Sequence, residues 1–267
     1  MSNLVAVVAG EAALTEAARS LAAELKLPYY PERRLGGPAG GARYYLVLRN
    51  DRLQLEWAES EAHGPAPVCV DFVGGAAGYR IRNSGLRQMI ARAVGLSKHQ
   101  PLWVVDPTAG FGRDAFVLAA LGCKVTCVER NDVVWALLVD GLRRARADTA
   151  TRTMAERITL ERRDGLAAML AFAKQSPRPD VVFLDPMFPS IKSGAAVKKE
   201  LQLLRHIVGE SQDDRRLLEA AMSCARRRVV VKRPRLGAEI PGLTPGFSIK
   251  GESARFDVYC VADALTE

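Results

Sequence analysis

The spacing of apolar and polar residues changes once along this chain, near Leu102, and the two parts predict different architectures. In the first, Leu14, Ala18, Leu21, Ala22 and Leu25 recur at helical spacing and mark one face of a helix. A Gly/Pro-rich loop follows, Leu35 to Gly41. Then comes a hairpin: Arg43 to Arg49, an Asn50-Asp51 turn, and Leu53, Leu55 and Trp57 alternating with polar residues. The stretch Val68 to Val73, closed by Gly74-Gly75, predicts a further strand. Residues 1–83 are therefore expected to form a small N-terminal α+β domain. Ser84 to Val94, with Leu86, Ile90, Ala93 and Val94 on one face, predicts a helix (84–95) leading into a second domain, 84–267.

From Leu102 onward strands and helices alternate. The predicted strands are Leu102–Asp106, Lys124–Glu129, Arg157–Glu161, Asp180–Asp185 and Arg228–Lys232. Between them run helices, one after Asn131 with Val134, Leu138 and Leu142 in register, another from Asp213 to Ala225 with Ser211 and Asp214 at capping-box spacing. Such alternation predicts an α/β domain with a doubly wound, mostly parallel, Rossmann-like sheet. Two further runs, Phe247–Lys250 and Phe256–Ala262, are expected to pair as a hairpin at its edge and complete seven strands.

Chemistry gathers at the predicted strand ends. Val181-Val-Phe-Leu-Asp185 is an apolar run ending on a carboxylate, followed by the rigid corner Pro186-Met-Phe-Pro189. The carboxyl end of a buried parallel strand is where open α/β sheets bind ligands. An acceptor followed by an aromatic ring between two prolines suits gripping a flat amino-bearing base. An Asp-Pro turn at a strand end is also common, so a second motif is needed. It lies upstream: Val104-Val-Asp-Pro-Thr-Ala-Gly-Phe-Gly-Arg-Asp114 follows the first strand and opens a helix. Gly110 and Gly112 let the backbone turn tightly and approach a ligand. A dinucleotide fingerprint favours a third Gly where Ala115 stands, though it admits Ala. The acids decide between ligands. Asp106, Asp114 and Glu129 crowd this loop; they would repel a diphosphate and suit a cation such as S-adenosylmethionine, which carries a sulfonium, an ammonium and no phosphate. Glu129, at the second strand's end, is placed for a ribose diol, and Asp164, after the third, for the adenine edge. Arg113 is a candidate for the cofactor carboxylate.

Composition narrows the class further. The chain has 267 residues, 48% of them hydrophobic and 25% charged, as in an ordinary globule. No apolar run reaches the roughly 18 residues of a membrane span. The N-terminus lacks the basic region of a signal peptide, so cytoplasmic residence is the expectation. Five cysteines, 69, 123, 127, 224 and 260, sit mostly in apolar runs and read as small buried thiols, and the histidines at 63, 99 and 206 have no ligand spacing; no metal is expected. Net charge is +8 and uneven: between Pro186 and Arg235 there are 12 Lys or Arg against 5 Asp or Glu. A basic surface beside a candidate site favours a polyanion, nucleic acid above all, with Lys192, Lys198, Lys199 and Arg233 as candidate contacts.

With these residues assembled, the chain resembles class I S-adenosylmethionine-dependent methyltransferases. Asp185-Pro-Met-Phe-Pro189 looks like a variant of the Asp/Asn-Pro-Pro-Tyr/Phe motif of enzymes that methylate base amino groups. Together with Asp106-x-Thr-Ala-Gly-x-Gly-Arg-Asp114, Glu129-Arg-Asn131 and Val197-Lys-Lys-Glu200, it is similar to the RsmJ family, bacterial guanine-N2 methyltransferases acting on the 3′ region of 16S ribosomal RNA. The resemblance covers about residues 68–235. It implies S-adenosylmethionine as cofactor, contacted by Arg113, Asp114, Glu129, Arg130, Asp164, Gly165 and Asp185, and 16S RNA or the small ribosomal subunit as partner. Where the family tends to have His-Arg-Arg and a Gly-rich run, this chain has Tyr79-Arg-Ile-Arg-Asn-Ser-Gly85; Arg80 and Arg82 keep the charge for RNA contacts.

The reaction expected is direct displacement of the methyl by an exocyclic amine. Asp185 and a backbone carbonyl near Pro186 would orient the amine, and Phe188 would stack on the base. A pyrimidine C5 enzyme would need a cysteine in the loop holding Met187, where none stands. A ribose 2′-O enzyme would want a lysine positioned as base; Lys198 and Lys199 are available but lie on a predicted basic helix. Methylation of DNA adenine or protein glutamine through the same corner, and a non-catalytic RNA-binding role, stay open.

Overall fold

The structure, a computed structural model, describes residues 4–32, 42–58, 66–74, 88–97, 101–186 and 214–261. Near the N-terminus, β1 (Val5–Ala9), β2 (Tyr29–Tyr30), β3 (Tyr44–Leu48) and β4 (Leu53–Trp57) form a sheet in the order β2-β1-β3-β4. β1 runs parallel to both neighbours, and β3 and β4 form the expected antiparallel hairpin. Helix α1 (Thr15–Leu25) buries Ala18, Ala22 and Leu25 and stops at Lys26, which is left-handed at φ 54. β1 was not anticipated: Val5 to Val8 are all buried, so the strand shows no alternation to reveal it.

The expected strand over Val68 to Val73 is a correction. Only Val68 bridges, exchanging both hydrogen bonds with Leu55 (2.8 and 2.9 Å). The alternation of apolar residues is real, because Val68, Val70 and Phe72 are buried. Beyond Val68, however, the backbone turns to other partners. Arg144 donates to the Val70 carbonyl, and the Asp71 carboxylate accepts from Val73 and Gly74 N–H.

The larger sheet comprises β5 (Trp103–Asp106), β6 (Lys124–Glu129), β7 (Ile158–Arg162), β8 (Val181–Leu184), β9 (Arg228–Pro234), β10 (Phe247–Lys250) and β11 (Ala254–Cys260), in the order β10-β11-β9-β8-β5-β6-β7. β5 to β9 pair in parallel; β10 and β11 are antiparallel at the edge. This is the doubly wound, seven-stranded sheet expected. The other helices are α2 (Met89–Val94), α3 (Arg113–Ala120), α4 (Asp132–Ala147), α5 (Arg152–Ala155), α6 (Gly165–Phe172) and α7 (Asp214–Cys224). Residues 84–87 of the expected helix 84–95, and Ser211 of the expected capping box, lie outside the described residues.

Side chains of a strand alternate between faces. Val104, Val125, Cys127, Val181, Phe183 and Val230 pack into a core shared with α3, α4 and the N-terminal sheet. Val105, Val128, Val182, Leu184, Val229 and Val231 face α6 and α7. The N-terminal segment joins the first of these cores: Phe72 stacks on Phe116 at 4.2 Å, and Leu53 N–H donates to Asp140 of α4 at 3.0 Å.

Three cysteines, 123, 127 and 224, are buried as expected, and burial pushes Cys123 and Cys224 up to about 11. Cys69 is only half-buried and Cys260 is exposed, because each faces outward between buried neighbours or at a strand end. Among the described residues no helix is long and apolar enough to cross a membrane, and no group of three or more His, Cys, Asp or Glu is arranged to hold a metal.

Candidate active site

The strand order reverses beside β5: the chain winds outward through β6 and β7, then returns to β8 on the other side. At such a reversal the connections diverge and leave a crevice outside the carboxyl ends of the strands. Asp106 ends β5, Glu129 ends β6, and Asp185 follows β8 immediately. Alternation places all three on the side of Val104, Cys127 and Phe183, the side that α3 covers.

The glycine loop is built around Glu129. Gly110 (φ 51) and Gly112 (φ 69) are both left-handed, the conformation in which glycine is unstrained. This turn aims the Gly110 N–H at Glu129 Oε2 (3.1 Å), while Oε1 accepts from Asn131 N–H (2.7 Å). Asn131 caps α4 through its side-chain oxygen, which accepts from Val133 and Val134. Glu129 is buried, which raises its pKa, although the N–H groups of Asn131 and Gly110 oppose the rise. The Arg130 N–H adds a third donor, and since a carboxylate offers about four acceptor sites, room for a further donor remains.

Asp106 lies under the loop at 2% exposure. Its Oδ1 accepts from Thr108 N–H (3.0 Å) and Thr108 Oγ1 (3.1 Å). The same hydroxyl oxygen accepts from Asp185 N–H at 2.8 Å, so Thr108 ties the ends of β5 and β8 together. Burial, with Asp114 and Asp185 nearby, pushes Asp106 up to about 7.

Asp185 and Asp114, in the first turn of α3, share one cation. Lys232 Nζ lies 2.9 Å from Asp185 Oδ2 and 2.5 Å from Asp114 Oδ2. The pairing register explains the contact: Leu184 lies opposite Val231, so the next residue of each strand brings Asp185 beside Lys232. Burial would lower the ammonium, but the two carboxylates override it and hold Lys232 above its usual range. Asp185 is pushed up to about 6 by burial, with Lys232 opposing and Asp114 reinforcing, and 40% of its side chain is open to solvent. Lys232 was absent from the predicted site because it was counted within the basic stretch.

Asp164 ends the loop after β7 and caps α6, accepting from Ala167 N–H at 3.0 Å; its other oxygen is 3.8 Å from exposed Arg130. Gly165 packs so closely on the Pro107 carbonyl that a Cβ could not be accommodated unshifted. Arg113 opens α3 on the exposed side. Asp106, Gly110, Gly112, Asp114, Glu129 and Asp185 are thus brought together, with Arg113, Arg130, Asp164 and Gly165 bordering them. Pro186 is buried directly after Asp185.

Arg233 requires a correction. It follows Lys232 and so faces the opposite side of the sheet, where it is only 6% exposed. Burial lowers its pKa, and Asp257, Arg255 and Tyr259 surround it. It does not lie on an open basic surface. Phe188, Arg80, Arg82, Lys192, Lys198 and Lys199 lie outside the described residues.

The residues present fit S-adenosylmethionine. A buried carboxylate with acceptor capacity to spare stands at the end of β6, the glycine turn closes on that carboxylate, and the local charge is acidic despite Lys232. Comparison with known proteins agrees. The family described as "Putative SAM-dependent methyltransferase" matches residues 38–261. The protein named ribosomal RNA small subunit methyltransferase J of Thioalkalivibrio sulfidiphilus is 46% identical over 250 residues, covering 92% of this chain and 93% of its own length. Its namesake in Chromobacterium violaceum is 46% identical over 254 residues, 94% of each chain. A crystal structure of a SAM-dependent methyltransferase from Neisseria gonorrhoeae superposes with a TM-score of 0.74 at 38% identity, covering 98% of this chain and 99% of that one. The chain belongs to the S-adenosylmethionine-dependent methyltransferase family, among the relatives that bear the name ribosomal RNA small subunit methyltransferase J.

Proposed function

We propose that this enzyme methylates the exocyclic N2 amine of a guanosine in the 3′ region of 16S ribosomal RNA, in the cytoplasm. The observation that carries the reading is the placement of Asp185-Pro186 at the strand-order reversal, one strand away from the glycine loop. Relatives of nearly full-length similarity named for small-subunit ribosomal RNA support the substrate.

S-adenosylmethionine supplies an activated methyl on sulfur, so the protein's task is positioning. Guanine N2 is a weak nucleophile because its lone pair is delocalised into the ring. Asp185 and the Pro186 carbonyl accept hydrogen bonds from the amine and turn its lone pair toward the methyl. At neutral pH Asp185 is ionised, since its raised pKa still lies near 6. As the N–C bond forms and the C–S bond breaks, the amine sheds a proton, which passes to Asp185. Glu129 takes up the ribose diol, Asp164 the adenine edge, and Phe188 stacks on the base. Arg80, Arg82, Lys192, Lys198 and Lys199 hold RNA phosphates.

The test is mass mapping of modified nucleosides in 16S RNA from cells lacking this protein. One N2-methylguanosine should disappear and return with the wild-type gene, while Asp185→Ala restores none of it despite normal folding. An unchanged modification pattern in the deletion strain, or restoration by Asp185→Ala, refutes the reading.

A further inference from the structure

We propose that Lys232 is the positioning residue of this site: its ammonium, bridging Asp114 of the cofactor helix and Asp185 of the acceptor corner, fixes the orientation and the charge of the Asp185 carboxylate. Lys232 stands 2.5 Å from Asp114 and 2.9 Å from Asp185, with 29% of its side chain exposed. The two acids come from different elements, the first turn of α3 and the end of β8, and are joined through a third, β9. Two neighbouring carboxylates repel one another, and a cation shared between them offsets that repulsion.

The bridge also explains why Asp185 points one way. Its backbone N–H is held by Thr108 Oγ1 at 2.8 Å, and Oδ2 is held by Lys232, so the bridge engages one carboxylate oxygen and turns the other, Oδ1, away from the ammonium. In this proposal Oδ1 is the oxygen that meets an incoming amine. Three charged groups act on Asp185 or feel it from the packed elements: Asp114 on α3, Lys232 on β9 and Asp106 on β5. Lys232 opposes protonation of Asp185, whereas Asp114 favours it. Removing the lysine and neutralising Asp114 should therefore move Asp185 in opposite directions. A lysine that merely filled space would produce no such pair of signs.

The carboxyl carbon of Asp185, followed by NMR through a pH titration of the donor-free protein, reads this directly. In Lys232→Met the midpoint should rise by about one pH unit or more, the usual effect of losing a close opposite charge. In Asp114→Asn it should fall below wild type. Lys232→Arg, which keeps the charge, should return most of the Lys232→Met shift. Unchanged midpoints in both Lys232→Met and Asp114→Asn, or shifts of the same sign, overturn the proposal. If Lys232→Met does not fold, the fall in Asp114→Asn and a near-wild-type midpoint in Lys232→Arg decide the matter.

The catalytic consequence rests on the function proposed above: the acid limb of kcat/KM against pH should move upward in Lys232→Met and downward in Asp114→Asn, following the NMR midpoints. The two ideas fail separately. Shifted midpoints with no methyl transfer to 16S RNA by the wild type would sink the substrate assignment alone, and efficient transfer with unmoved midpoints would sink the role of Lys232 alone.

Discussion

Asp106 offers the sharpest energetic test of the site. It is 2% exposed, and burial together with Asp114 and Asp185 raises its pKa from 3.8 to about 7. A carboxyl whose folded-state pKa is raised holds its proton more tightly when folded, so it destabilises the fold progressively as pH climbs from the unfolded to the folded value. Below about pH 4 there is no penalty. Above about pH 7 the penalty is complete: roughly three pH units at 1.36 kcal/mol each is about 4 kcal/mol. Asp106→Asn removes the charge while keeping the geometry. The acceptor for both Thr108 groups is Oδ1, and an asparagine supplies that oxygen unchanged.

The expected outcome is a stability difference, variant minus wild type, that grows with pH. About 3 kcal/mol of it should accrue between pH 5 and pH 8. Urea unfolding of both proteins at unit intervals across that range measures it, and groups titrating alike in both cancel in the subtraction. A difference that stays flat with pH would show that Asp106 titrates in its ordinary range, and the picture of crowded acids at the β5 end would be wrong.

Two further outcomes follow from the loop geometry. Glu129→Ala strips the acceptor from Gly110 N–H and Asn131 N–H and should weaken S-adenosylmethionine binding by on the order of 1–3 kcal/mol; titration calorimetry that returns the wild-type dissociation constant refutes the ribose role. Gly165→Ala drives a methyl against the Pro107 carbonyl and should lower stability by about 1–3 kcal/mol, whereas an unaltered melting temperature would mean that the two loops are free to part.

Most of the larger sheet was legible because its strands are short apolar runs ending on polar or Gly-rich turns. β6 matched its predicted limits, Lys124 to Glu129, and β10 matched Phe247 to Lys250. Where prediction failed, a physical reason is visible. β1 is buried throughout and carries no period. Val68 to Val73 has the period of a strand, but Arg144 and Asp71 take up its backbone groups, so the ladder never forms beyond one bridge. Counting charges along a linear window concealed a three-dimensional fact: Lys232 and Arg233 are adjacent in sequence and lie on opposite faces of β9, one bridging the site acids and the other buried beside Asp257. Alternation from Val229 and Val230 would have separated them.

Charge balance then decides what ligand the site can favour. Lys232 neutralises one of the pair Asp114 and Asp185, and Asp106 is close to half-protonated near neutral pH. What remains, counting Glu129, is an excess of roughly two to three negative charges in a region partly shielded from water, where each uncompensated charge is more influential than on the surface. A polyanion such as a diphosphate would add to that excess and be repelled, while a ligand bearing positive charge offsets part of it. The basic residues for RNA must therefore stand outside this ring, so donor affinity and RNA affinity should respond to salt with different slopes, the RNA slope being the steeper.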